Sequence, residues 1–277
     1  MARLNANVRA RDALSQREVE RMFALYAKYY DGTNFAQFDA DLAGKSHVIE
    51  LRHGDALCGF STIALIDFAC GGMARRAIFS GDTIIDHHYW GEQVLPLAFC
   101  AYAGRVHARD PALPLYWFLI SKGYRTYRYL NVFARHYYPR VDMPTPADEQ
   151  ACLDHLAHGR FGACYDAERG LLHFPQSRGH LKPEWAGVRD GAGVRREVRF
   201  FLERNPGYRA GDELVCIARL KPDNLRSYAH RAFLRGMDEF EYAGFLSRDS
   251  RERSALPVSA DMCAGSATPA VAEHTSA

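Results

Sequence analysis
The chain lacks any apolar run approaching the ~18 residues that span a bilayer. Its longest dense stretch is Tyr116-Trp117-Phe118-Leu119-Ile120, so no transmembrane segment is expected. Residues 1–14 carry scattered arginines and no continuous apolar segment, so a secretory signal is not expected either. Net charge is nearly absent, with 35 Lys and Arg against 33 Asp and Glu. That balance argues against a nucleic-acid partner, which calls for a strongly basic face. The seven cysteines are odd in number, scattered, and form no Cys-x-x-Cys pair. Neither a disulfide framework nor a metal site is expected, and a reducing cytoplasm is the simplest compartment.

What is present is an ordinary globular composition, with 48% hydrophobic and 25% charged residues. Residues 1–14 read as a flexible basic arm. Ser15 with Glu18 three residues on is a capping box that starts a helix over 15–30. Val19, Met22, Phe23, Tyr26 and Tyr30 form its apolar stripe. Asp31-Gly32 ends it, and a second short helix is expected over 35–43. The period then shortens to two. Strands are expected over 47–52, 57–67 and 75–86, linked by Gly54-Asp55 and a loop at 69–74. Short links favour an antiparallel meander. A helix should run to about residue 107, with Pro96 near its start. Residues 113–121 read as a buried central strand, and 123–138 as a helix rich in Tyr and Arg.

Further elements are less regular. A helix at 147–158, strands within 161–175 and a Gly/Pro-rich loop at 175–193 are expected. A helix at 194–204, a strand at 212–220 and a helix at 223–235 follow. The tail 249–277 has no aromatic residue and should be disordered.

The order of these elements over residues 15–140 resembles the GNAT acyltransferase superfamily. The resemblance implies an α/β fold: a mixed, mostly antiparallel central sheet flanked by helices, with residues 147–248 as a C-terminal α/β extension. In that family a Q/R-x-x-G-x-G/A loop at a helix start binds the acyl-CoA pyrophosphate. The matching residues here are His88-Tyr89-Trp90-Gly91-Glu92-Gln93. Gly91 stands where the family has glycine, His88 replaces Gln/Arg, and Gln93 replaces the last small residue. The physics of such a loop is general, since a helix N-terminus attracts anions. Some GNAT-like enzymes, such as N-acyl amino acid synthases, use acyl carrier protein instead. An acidic carrier needs a basic docking face, and Lys122, Arg125, Arg128, Arg135 and Arg140 are candidates. A solvated helix surface is the plainer role for them.

The resemblance therefore implies an acyltransferase with no permanently bound cofactor. Acyl-CoA or acyl carrier protein would be co-substrate, and a small-molecule amine or hydroxyl compound the acceptor. Trp90, Gly91, Glu92, Gln93, Lys122 and Arg125 would line the donor. Backbone N–H groups from Thr83 to Ile85 would polarise the thioester carbonyl. His87 or His88 would be the base, since histidine titrates near neutrality. A helix cap is the alternative role for either. Asp82 is unfavourable inside a strand, which marks it as a functional or a bulge aspartate. Tyr124 or Tyr127 would protonate the leaving thiolate, core packing being the alternative. Cys152, His155 and His158 have helical spacing but read as incidental, and no metal is expected. Two other readings remain open: a non-catalytic GNAT-like module that binds a metabolite or partner, and an interaction protein using the basic helix.

Overall fold
The computed structural model describes residues 3–176, 178–188 and 195–243. The expected tail at 249–277 lies outside them. Leu4–Ala10 is the first strand, β1, in place of the expected flexible arm. Its alternation of Leu4, Ala6 and Val8 with Asn5, Asn7 and Arg9 is a strand pattern. Antiparallel pairing with residues 47–53 fixes it.

Helix α1 (Gln16–Ala27) starts at the expected capping box: the Ser15 side chain accepts from the Glu18 N–H, and Glu18 returns to the Ser15 N–H. Its buried stripe is Val19, Met22, Leu25 and Tyr26. The short strand β2 (Tyr30–Asp31) takes the end that the stripe suggested was helical. Helix α2 (Phe35–Ala43) is capped by the Asn34 side chain. The meander follows as β3 (His47–His53), β4 (Ala56–Cys70) and β5 (Met73–Ile85). Gly71 and Gly72, with φ of 60° and 75°, make the two-residue turn between β4 and β5. That conformation matches the twist of paired strands and favours glycine.

Helix α3 (Val94–Arg109) crosses over to β6 (Leu115–Ser121), which runs parallel to β5. Helix α4 (Tyr124–Phe133) is shorter than expected. The chain beyond it is pinned extended: the His136 N–H donates to Asn224 Oδ1, and Tyr138 bridges to Ile217. Next come α5 (Ala147–Phe161), β7 (Tyr165–Asp166), β8 (Leu171–Leu172), β9 (His180–Leu181), α6 (Pro183–Ala186), α7 (Arg196–Arg204), β10 (Glu213–Arg219) and α8 (Ser227–Ala243). The C-terminal part extends the sheet, because β10 pairs antiparallel with β6.

The result is a mixed α/β fold around one eight-stranded, mostly antiparallel sheet, ordered β1-β3-β4-β5-β6-β10-β8-β7. This is the architecture that the GNAT resemblance implies. One sheet face packs on α3, α4, α7 and α8 through Ile78, Phe99, Trp117, Tyr127, Phe201 and Phe233. On the other face, α5 covers Phe79 and Phe118, and α1 and α2 cover Phe60 and Ile84. Two irregularities position the site. β5 and β6 pair only from Arg76–Leu115 to Ser80–Leu119, and the strands separate beyond. At that point β5 also bulges: Ser61 pairs with Thr83 and Ile63 with Ser80, so Gly81 and Asp82 together oppose Thr62. A glycine inside a strand often marks a bulge of this kind.

Candidate active site
The separation of β5 from β6 opens two cavities. One, of about 490 Å³, lies on the α1–α2–α5 face and is lined by Lys45, Asp82, Lys122, Arg160, Arg178 and Glu213, among others. The other, of about 580 Å³, lies between the end of β5, the start of α3 and α4. Trp90, Gly91, Gln93, Tyr124, Arg125 and Trp185 are among its walls. Tyr30, Thr83 and Thr126 line both cavities, so the two meet at the bulge.

Backbone direction at this seam follows from one hydrogen bond. The Asp86 N–H donates to the Cys58 carbonyl on β4 at 2.8 Å. Antiparallel pairing alternates these directions along a strand. The N–H groups of Thr83 and Ile85 therefore face away from β4, into the gap left by β6. The Ile85 carbonyl faces the same way and accepts from Trp90 Nε1 at 2.8 Å. The Thr83 hydroxyl is held by Ser61 Oγ at 2.8 Å.

On the second cavity's wall, Arg125 stacks 4.7 Å from the Trp90 ring and donates to the Trp185 carbonyl at 2.7 Å. Trp185 packs against Tyr29, His87 and Trp90. Gly91 and the N-cap residue Gln93 stand where α3 begins, and the Gln93 side chain makes no capping hydrogen bond. Gly91 has φ of 105°. An added Cβ would meet nothing within 4 Å, so glycine serves here for its backbone conformation. Arg128 and Arg195 also line this cavity.

The first cavity is strongly charged. Lys122 pairs with Glu213 at 3.4 Å and donates to the Arg178 carbonyl at 3.0 Å. Arg178 pairs with Asp41 at 3.3 Å. Burial pushes the Glu213 carboxyl up, against the pull of Lys122. Burial also pushes the Lys45 ammonium down, against Asp82, and lowers the Arg160 guanidinium to about 10. Asp82 projects from the bulge. Arg75 and Arg76, on the same strand, pair with Asp148 and Asp67.

The structure brings Asp82, Thr83, Ile85, Trp90, Gly91, Glu92, Gln93, Tyr124 and Arg125 to these two cavities. Four expectations are corrected. Lys122, expected on the donor side, lines the first cavity because it is tied to Glu213 across from β6. Tyr127 is fully buried in the core, and its hydroxyl donates to the Pro139 carbonyl at 2.9 Å. His87 and His88 line neither cavity. Tyr29 donates to His87 Nδ1 at 3.1 Å or accepts from it, while His88 bonds Asp86 at 2.7 Å and is 73% exposed. Asp86 is already held by Lys28 at 2.7 Å. Finally, the five-residue basic face is not one surface. Lys122 and Arg125 are engaged as above, and Arg140 pairs with Asp142 and donates to the Arg135 carbonyl.

Sequence reasoning missed Lys45, Arg160 and Trp185. Lys45 sits in the turn between α2 and β3, and Arg160 in the last turn of α5. Neither position carries a local signal, because their burial depends on two distant segments closing over the bulge.

No protein-family model matches the sequence, and no curated protein matches it. Solved structures show a similarity over about half of the chain. A protein of Enterococcus faecalis V583, described as a probable N-acyltransferase, matches at 14% identity with a TM-score of 0.36. The match covers 48% of this chain and 33% of that one. A GCN5-related N-acetyltransferase from Kribbella flavida matches at 15% identity and TM-score 0.35, covering 48% and 34%. The chain thus spans about one third of the length of these two. An aminoglycoside acetyltransferase from an uncultured soil metagenomic sample, in complex with sisomicin, matches at 11% identity and TM-score 0.30. There the match covers 42% and 76%.

Proposed function
We propose that the protein transfers an acyl group from a thioester donor to an amine or hydroxyl acceptor by direct attack. The observation that carries this reading is the meeting of two cavities at Tyr30, Thr83 and Thr126. A donor and an acceptor entering from opposite sides would touch there and nowhere else.

The donor occupies the cavity beside α3 and α4. Its acyl carbonyl lies in the gap between β5 and β6, facing the Thr83 and Ile85 N–H groups. The start of α3 favours an anion, as does the positive charge of Arg128 and Arg195. The acceptor nitrogen or oxygen attacks the thioester carbon from the other cavity. The new C–N or C–O bond forms as the carbonyl electron pair moves onto oxygen. Fixed N–H donors aimed at that oxygen stabilise the developing charge. Collapse breaks the C–S bond and expels a thiolate. Asp82 is the carboxylate at the seam and takes the proton that the acceptor loses. Tyr124 lines the donor cavity and supplies a proton to sulfur. His87 and His88 have no part in these steps.

The test is calorimetry and native mass spectrometry of the full chain against acyl-CoAs of several lengths and acylated carrier protein, with thiol release as the turnover readout. Binding of either donor supports the reading and identifies the donor class. Binding of neither overturns it and leaves a non-catalytic binding module. Given a bound donor, Asp82→Asn should lower turnover by ~100-fold or more, the usual loss for a general base. Donor affinity should be unchanged. Turnover within a few-fold of wild type removes Asp82 from the mechanism.

A further inference from the structure
The first cavity holds two cations without a contacting anion. Lys45 is only 9% exposed, yet its ammonium makes no hydrogen bond or ion pair among the described residues. It lies 5.4 Å from the centre of the Phe79 ring. The Arg160 guanidinium lies 4.3 Å from the same ring centre and likewise has no hydrogen bond or ion pair among the described residues. The cavity's carboxylates do not answer them. Asp41 is engaged by Arg178 and Glu213 by Lys122. Asp82 and Asp41 act on both cations through space, but neither makes an ion pair with them among the described residues.

The bulge makes room for this arrangement. A Cβ on Gly81 would stand 2.8 Å from Lys45 Nζ and 2.7 Å from Thr62 Oγ1. Any larger residue would displace the lysine. The Thr62 hydroxyl is itself buried without a hydrogen-bond partner among the described residues. A buried cation beside a second, half-buried one destabilises a fold unless an anion compensates them. No carboxylate among the described residues makes an ion pair with either cation, and both line an open cavity.

We propose that this cavity recognises an acceptor carrying an anionic group, carboxylate or phosphate, held between Lys45 and Arg160. The inference rests on the proposed acyl transfer for the acceptor's role, though not for the anion site itself. Lys45 packs against Gly81, and the reacting position lies at Thr83. Two strand residues span about 7 Å. That distance suits an anionic group and a reacting amine several bonds apart, as in an aminoethyl phosphate or an ω-amino acid, rather than the two bonds of an α-amino acid.

The experiment uses the full chain and matched probes. ω-Amino acids and phosphoethanolamine are compared with amines of the same skeleton without the anion, such as butylamine against 4-aminobutyrate and ethylamine against phosphoethanolamine. Binding is read by calorimetry and thermal shift, and transfer by thiol release with the donor identified above. At least one anionic probe should bind 10-fold or more tightly than its neutral-tailed counterpart. Lys45→Met and Arg160→Gln should each erase that preference, and Lys45→Arg should keep part of it. Lys45→Met should also raise the melting temperature of the unliganded protein, since it removes an uncompensated buried charge. Carboxylate and phosphate arms report separately which anion is taken. Equal binding of the neutral-tailed amines, or binding of no anionic probe, overturns the proposal. A destabilised Lys45→Met that keeps the preference also overturns it, leaving the lysine a structural role. Anion preference without thiol release would keep the site and refute acyl transfer. Thiol release without anion preference would do the reverse.

Discussion

Helices α3 and α8 approach so closely that glycine is required on both. A Cβ on Gly104 of α3 would lie 2.0 Å from the Phe233 carbonyl oxygen, and one on Gly236 of α8 would lie 1.9 Å from the Ala101 oxygen. The obstructing atoms are backbone, so no rotamer change relieves them. An ordinary contact needs about 3.5 Å. Gly104→Ala must therefore part the helices by more than about 1 Å. Overpacking of this kind costs up to about 3 kcal/mol. Replacing a helical glycine by alanine returns about 1 kcal/mol. The net loss is about 2 kcal/mol, or about 4–8 °C of melting temperature for a chain of this size. Gly159 is the internal control. It also lies in a helix, α5, but a Cβ there meets nothing within 4 Å. Gly159→Ala should stabilise by about 1 kcal/mol on propensity alone. Thermal melting and urea titration of both variants would measure the pair. A Gly104→Ala protein at least as stable as wild type would refute the close-approach argument. The consequence reaches the candidate site, because the start of α3 borders the second cavity.

Two further outcomes follow from named contacts. Tyr127→Phe should leave the Pro139 carbonyl without its donor and cost about 1–3 kcal/mol, with turnover per folded molecule unchanged. Tyr124→Phe should do the opposite, and equal effects on stability would reject the distinction between core and cavity tyrosine. Acid stability should depend on two carboxylates. Arg9 holds the Glu18 carboxyl at about 2, aided by Ser15. Burial alone would raise Asp86, but Lys28 and His88 hold it at about 2. Both sit below the unfolded value of about 4. Their stabilisation is therefore complete above pH ~4 and is lost as pH falls toward 2. Lys28→Met should flatten that loss in urea titrations at pH 5, 3.5 and 2.5. An unchanged slope would show that the Lys28–Asp86 pair contributes nothing.

Local rules made much of this protein legible. The Ser15/Glu18 box, the stripe of α1 and the alternation of β3 to β5 are short-range patterns, and each forms where its residues stand. The GNAT-like order of elements is the sum of such patterns. That Thr83, Ile85 and Trp90 to Gln93 lie close together was also readable, because a strand end, a positive-φ glycine and a helix start are adjacent in sequence. Three things needed the tertiary structure. Leu4–Ala10 became a strand only because β3 offered a partner edge. Tyr124 and Tyr127 share one helix face by spacing and both are buried, and only the tertiary structure packs Tyr127 against Phe201 and Tyr137 while Tyr124 borders a cavity. Lys45 and Arg160 lie 115 positions apart in an unremarkable turn and helix end. They become a cation pair because both are drawn over the Phe79 ring, beside a bulge that Gly81 permits. Periodicity fixes which face a residue takes within its own element. Which distant charges share a cavity depends on how the elements close over one another, and that information is spread across the whole sheet.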